Sequence, residues 1–166
     1  MYYLTNYESP ISKLLLASDE ESIIGLWLEG QKYYGSNIVD KAEYADDLPV
    51  FTTASNWLDR YFNGENPAIS ELPLAPIGSD FRKSVWKILC NIPYGKCITY
   101  GDIAKKLNMN CAQAVGGAVG HNPISIIIPC HRVVGAGGSL TGYAGGIDKK
   151  IHLLRHEGAA SLFVPK

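Results

Sequence analysis

Residues 98–123 read ITYGDIAKKLNMNCAQAVGGAVGHNP, and whether they form one interrupted helix or two decides what the second half of the chain is. Thr99, with Asp102 three positions on, has the spacing of a capping box, in which each side chain satisfies the other residue's backbone N–H at a helix start. Ile103, Ala104 and Leu107 then form the buried edge of a short helix, the NMN run breaks it, and Ala112, Val115, Gly116 and Val119 carry a second. Two short helices joined by a tight turn make a helix-turn-helix pattern, which also occurs as an ordinary helical hairpin inside enzymes. Gly116 and Gly117 bear on the choice, since each costs a helix on the order of 1 kcal/mol relative to alanine. A face of Ala112, Gly116 and Ala118 lets the backbone come close to a flat or narrow surface, as entry into a nucleic-acid groove requires. Tight packing on another helix is the alternative.

Charge favours the nucleic-acid reading. Residues 1–80 hold 4 Lys/Arg against 13 Asp/Glu, and residues 81–166 hold 11 against 3, so a net charge of -1 conceals an acidic half and a basic half. A basic half facing a polyanion and an acidic half facing away account for such a split. The 166 residues, 46% hydrophobic and 19% charged, suit a globular chain of one domain or two small ones. No long apolar span and no signal segment opens the chain, so a cytoplasmic protein without membrane association is expected. Cys90, Cys97, Cys111 and Cys130 include no Cys-x-x-Cys pair, so neither a zinc ribbon nor a dithiol redox motif is indicated, and so low a cysteine density does not suggest a secreted disulfide scaffold.

Upstream, Ser79 or Asp80 can cap a helix whose apolar positions Phe81, Val85, Ile88, Leu89 and Ile92 share a face, with PYGK ending it. At LPLAPIGSD two prolines, a glycine and the change of charge coincide, placing a boundary between residues 1–76 and 77–166. The first thirty residues alternate as antiparallel strands: MYYLTNY, ISKLLLAS and IIGLWLE, separated by turns. Residues 31–49 show no period and read as connecting structure. Phe51, Ala54, Leu58, Tyr61 and Phe62 follow helical spacing, stopped by NGENP. The fold class is therefore α+β, a small antiparallel sheet with a helix followed by a mainly helical second domain.

Downstream lies IIIPCHRVVGAGG, residues 126–138. ISIIIP reads as a buried strand leading to Cys130. If Cys130 and His131 are extended, their side chains point to opposite sides, and the imidazole must act through a water or by orienting a third group. A buried cysteine without help is an inert small hydrophobe; reactivity needs neighbouring positive charge, a helix N-terminus or a base, and His131 and Arg132 are the candidates. Six glycines between 135 and 146 leave backbone bare, suiting a flat heterocycle with Tyr143 as a wall, and match neither phosphate-binding loop pattern.

IPCHRVVG, preceded by AVGGAVGHNPISI and followed by GSLTGYAGG and LLRHEG, resembles the active-site region of the O6-alkylguanine-DNA alkyltransferases, densely from Phe81 to Gly158 and loosely before it. The resemblance implies a ribonuclease H-like first domain and a winged-helix-like second one. It implies a monomeric repair protein that needs no cofactor, binds double-stranded DNA containing alkylated bases, and moves the alkyl group of O6-methylguanine, and of O4-methylthymine, onto its own cysteine in one turnover. Cys130 would be the acceptor, His131 would take its proton through a water, and Glu157 would orient the imidazole. Asn122 resembles the family's hinge asparagine, and Tyr100 the tyrosine that donates to the departing base. Tyr143, Ala144, Gly145 and Val133 fall at the base pocket, and Ala112, Gln113 and Gly116 on the DNA-facing helix.

The chemistry accounts for these residue types. Displacement at an alkyl carbon needs a thiolate on one side and a proton donor for the leaving guanine on the other. The target atom is out of reach inside a duplex, so the nucleotide must be flipped, at a few kcal/mol of unstacking. Gln113 stands where the family commonly has an arginine finger, so it can fill the emptied stack but adds no charge. Residues 1–80 hold neither Cys nor His, so they offer no counterpart of the zinc site some members carry. His152 and His156, one turn apart, read as a solvated helix face rather than a metal site. Two other classes remain: a non-repairing alkylated-DNA binder, whose known examples lack the cysteine, and a cysteine hydrolase using Cys130, His131 and Glu157, which leaves the helix-turn-helix and the basic half unexplained.

Overall fold

In the computed structural model, which describes residues 1–35, 37–159 and 163, the chain forms two compact units: Met1–Ile77 with Pro123–Ile127, and Gly78–Asn122 with Ile128–Lys166. The short segment Pro123–Ile127 thus belongs to the first unit although its flanks belong to the second.

The first unit is a four-stranded sheet. Strands β1 (Tyr2–Glu8), β2 (Lys13–Ser18) and β3 (Ile23–Leu28) are antiparallel neighbours, and β4 (Ala42–Tyr44) adds parallel to β1, giving the order β3-β2-β1-β4. β4 lies in the stretch expected to be connecting structure; three residues are too few for a period to show. β3 is buried at every position, so alternation is lost there. Helix α1 (Pro49–Phe62) packs on β2 and β3, while Leu4, Leu15, Ala17, Ile24, Trp27 and Ile38 form a further core cluster. Gly25 is needed within β3, because a Cβ there would lie 2.1 Å from the Trp27 indole. Proline at the first position of α1 costs no hydrogen bond, since that N–H has no partner inside a helix.

The second unit begins at α2 (Asp80–Leu89), capped by Ser79, whose Oγ accepts from Arg82 N–H at 3.2 Å. Val85, Trp86 and Leu89 are its buried face, and Trp86 Nε1 donates to Ala118 O at 2.8 Å. The capping box is present: Asp102 N–H donates to Thr99 Oγ1 at 3.0 Å, and Thr99 N–H donates to Asp102 Oδ2 at 2.9 Å. It opens α3 (Tyr100–Lys106), and a turn with Asn108 at φ +55° leads to α4 (Ala112–Gly120). A two-residue parallel ladder joins β5 (Ile98–Thr99) to β6 (Val133–Val134), and α5 (Ile147–His156) closes the unit over Val134, Leu140, Leu154, Ala159 and Phe163. No helix among the described residues is long and apolar enough to cross a membrane.

Removing the cap of α3 should weaken the second unit without disturbing its core. Thr99→Ala is expected to cost about 1 kcal/mol in urea unfolding; an unchanged midpoint would show that the box contributes nothing.

Candidate active site

The chain reaches Cys130 through two tight turns, not the strand expected of ISIIIP. Ile124 makes a single bridge to Leu26, and then Ile126 takes φ +71° with Ile127 N–H donating to Ser125 O at 2.8 Å, the closure of a γ-turn in its uncommon positive-φ form. Pro129, at φ -81° and ψ 66°, makes the common inverse form, closed by Cys130 N–H on Ile128 O at 2.8 Å. Three consecutive isoleucines look like a strand because β propensity largely measures burial, and all three here are buried without being paired. Cys130–Arg132 is a 3-10 turn, so the first two side chains diverge by about 120° rather than pointing to opposite faces.

His131 and Arg132 both turn to Glu157. His131 Nε2 lies 2.7 Å from Glu157 Oε2, Arg132 Nε donates to Oε1 at 2.7 Å, and Arg132 Nη2 donates to Oε2 at 3.1 Å. Arg132 Nη1 donates to Ile92 O at 2.7 Å, and the guanidinium lies 5.7 Å from the centre of the Tyr94 ring. Burial pushes the Glu157 carboxyl up, but the His131 and Arg132 interactions outweigh it and hold the group well below the usual carboxylate range. An ionised carboxylate only accepts, so His131 carries its proton on Nε2. Burial lowers the imidazole against the pull of Glu157, leaving the ring neutral with its Nδ1 lone pair unused: Nδ1 is buried and has no hydrogen-bond partner among the described residues. Gly95 makes room for this cluster; it sits at φ +79°, and a Cβ there would lie 3.1 Å from Glu157 O.

The charge that faces the thiol comes from elsewhere. Burial is the largest influence on Cys130 and leaves its thiol above the ordinary value, although the Asn122 side chain, the Lys150 charge, its own backbone and the Tyr143 side chain pull against it. Arg132, a sequence candidate for that charge, is spent on Glu157, Ile92 and Tyr94. Lys150 was not a candidate, yet it is fully buried with Nζ donating to Val133 O at 2.6 Å. Burial lowers it to about 8, against the opposing influence of Cys130 and Cys97. A signal for it existed: Lys150 stands three and four residues before Leu153 and Leu154, on the apolar stripe of α5.

The remaining candidates fall into two groups. Tyr100 is half-buried and accepts from Thr141 Oγ1 at 3.2 Å; burial raises its hydroxyl, so it stays protonated and its own O–H is left to donate. Ala144 and Gly145 are half-buried beside Tyr143, whereas the Val133 side chain is fully buried and its carbonyl is taken by Lys150. Asn122 Nδ2 donates to Ile128 O at 2.8 Å. On α4, Ala112 and Gln113 are exposed and Gly116 is half-buried. Ala118 does not share that face: it is buried and its carbonyl receives Trp86. Nothing among the described residues requires glycine at 116 or 117, because a Cβ at Gly116 would reach only the Tyr100 ring at 3.9 Å and one at Gly117 would meet nothing within 4 Å. Close packing on another helix therefore does not account for them. Among the described residues, no group of three or more His, Cys, Asp or Glu is placed to hold a metal ion.

Residues 80–159 match the family model described as 6-O-methylguanine DNA methyltransferase, DNA binding domain, and residues 1–76 match that family's ribonuclease-like domain. By class this is a DNA-repair methyltransferase whose acceptor is a protein cysteine. The methylated-DNA–protein-cysteine methyltransferase of Haemophilus influenzae is 45% identical over 156 residues, covering 93% of this chain and 86% of that protein; that of Methanosarcina acetivorans is 46% identical over 161 residues, covering 96% and 99%. The crystal structure of the Mycobacterium tuberculosis O6-methylguanine methyltransferase superposes with a TM-score of 0.84 at 40% identity, over 100% of this chain and 97% of that one. The Mycobacterium tuberculosis protein in complex with DNA gives 0.83 at 40% identity, over 96% and 93%. The chain belongs to the 6-O-methylguanine DNA methyltransferase family.

Breaking the buried cluster should be costly and pH-dependent. Glu157→Gln is expected to lose about 3 to 5 kcal/mol in urea unfolding at neutral pH, because it leaves Arg132 buried without its anion. Both shifted groups titrate lower in the folded state, so the unfolded chain binds more protons as pH falls. Wild-type stability should decline first below about pH 6.5 through His131 and again below about pH 4.3 through Glu157, where the difference from Glu157→Gln narrows. A penalty independent of pH would contradict the assignment.

Proposed function

We propose that Cys130 is the alkyl acceptor and that the substrate is O6-methylguanine, with O4-methylthymine as a second, in double-stranded DNA. The observation that carries this is the surroundings of one buried thiol: burial keeps it protonated at rest, the Lys150 charge and the Asn122 side chain favour its ionisation against that, and beside it in the chain stands a neutral imidazole with a free lone pair to take the proton. In the reaction the thiol proton passes through a water to His131 Nδ1, with Glu157 stabilising the imidazolium that forms. The thiolate attacks the alkyl carbon in line, the S–C bond forms, the C–O6 bond breaks, and its electron pair goes to the base. Tyr100 keeps its proton and donates a hydrogen bond to the departing guanine, stabilising the charge left on the base, which then takes up a proton from water.

The thioether does not hydrolyse, so each molecule repairs one lesion, as a monomer in the cytoplasm without a cofactor. The target nucleotide is flipped against Tyr143, Ala144, Gly145 and Val133. The bare face of α4 at Ala112, Gln113 and Gly116 lies in the groove, with Gln113 filling the emptied stack uncharged.

Incubation with a duplex bearing O6-methylguanine should add one methyl group to Cys130, read by intact mass and peptide mapping, and Cys130→Ala should bind the duplex without gaining mass. A wild-type chain that shifts the DNA in a gel but gains no mass would be a binder, and the transfer reading would fail. Lys150→Met should slow alkylation of Cys130 by iodoacetamide at pH 7 about fivefold and move its pH profile upward. An unchanged profile would remove Lys150 from the account.

A further inference from the structure

Gln31 is a polar side chain buried in the first unit. Its N–H donates to Leu28 O at 3.0 Å and its Oε1 accepts from Leu28 N–H at 2.7 Å, which locks the side chain at the end of β3. The same oxygen accepts from Ser125 Oγ at 3.3 Å. Ser125 is also buried, and β3 holds its segment further through Leu26 N–H on Pro123 O at 2.8 Å and Ser125 N–H on Leu26 O at 3.0 Å. A buried amide and a buried hydroxyl are costly unless bonded, so each fixes the other.

What is held there is not relaxed. Ile126 follows Ser125 with φ +71°, a conformation that a β-branched residue keeps only where its surroundings over-determine it. The clamped residue is also the acceptor that closes this γ-turn. The segment's two flanking residues are Asn122 and Ile128, joined by Asn122 Nδ2 on Ile128 O at 2.8 Å, and Ile128 O also receives Cys130 N–H. If the turn at Ile126 relaxes, Ile128 shifts along the chain, and with it the carbonyl that holds both Asn122 and the cysteine.

We propose that Gln31 is a positioning residue for transfer: through Ser125 it keeps the turn at Ile126 from relaxing, and so keeps Asn122 and Cys130 aligned for attack on the alkyl carbon. The proposal rests on the transfer reading above. Single-turnover transfer from a duplex carrying O6-methylguanine tests it on the full chain, with Gln31→Met, Gln31→Glu, Ser125→Ala and the double variant Gln31→Met/Ser125→Ala. Gln31→Met should transfer about tenfold more slowly with DNA affinity within about twofold of wild type, since small misplacements of reacting groups cost rate rather than binding. Gln31→Glu keeps the acceptor oxygen and should recover most of the rate, and the double variant should be no slower than the slower single one. The pH profile of Cys130 alkylation by iodoacetamide should move upward in Gln31→Met and Ser125→Ala but not in Gln31→Glu. Should Gln31→Met fail to fold, Ser125→Ala, which removes one hydroxyl, decides by the same two readouts. Wild-type rate and profile in the variants, or equal impairment of the Met and Glu variants, would overturn the proposal. A wild-type chain that takes up no methyl group would instead overturn the transfer reading, and the proposal with it.

Discussion

Two oxygen atoms of one buried carboxylate organise the second unit. Glu157 receives His131 on one oxygen and Arg132 on both, at the end of α5, where a negative charge is opposed by the helix dipole and must be balanced by cations. Arg132 balances it and, through Ile92 O, ties the end of the α2 region to the chain that carries the thiol. Because the carboxylate only accepts, it dictates which nitrogen of His131 holds the proton and thereby which is left as a base. Without Glu157 the adjacent Cys130 and His131 would be neighbours in sequence with no defined chemical relation.

α5 supplies the cation as well as the anion. Lys150 and Glu157 are seven residues apart, two turns, so both project toward the segment 130–133: Lys150 to Val133 O, Glu157 to His131 and Arg132. One short helix therefore presents a positive group that acts on the Cys130 thiol and a negative group that binds the His131 imidazole. Of the eleven Lys/Arg of residues 81–166, Arg132 and Lys150 are buried among the described residues, so the basic balance of that half overstates the charge left at its surface. Exposed Lys105 and Lys106 on α3 remain on its surface.

Much of this was legible in the sequence wherever the signal was local. The capping box at Thr99 and Asp102, the Ser79 cap, the helical spacing of α1 and the pair of short helices all depend on residues within a turn of one another. What depends on distant partners was not legible. β4 exists because β1 lies beside it, and Pro123–Ile127 joins β3 across about a hundred residues of chain. The isoleucine run misleads because burial, not pairing, selects those side chains. In the site, the pairing of His131 with Glu157 is suggested by the resemblance alone, whereas Arg132 turns to a carboxylate 25 residues away that no local pattern reveals. Ala118 falls on the opposite face of α4 from Gly116 because two residues turn a helix by about 200°, which the helical period alone dictates.

The central claim is that Glu157 holds His131 neutral with the proton on Nε2 and a bare Nδ1. Nitrogen-15 NMR of the histidine rings in the folded, DNA-free chain tests it most directly. His131 is expected to show protonated Nε2 and unprotonated Nδ1, and to charge only at a pH below that of an ordinary histidine. A proton on Nδ1, or a ring that titrates near its usual value, would contradict it.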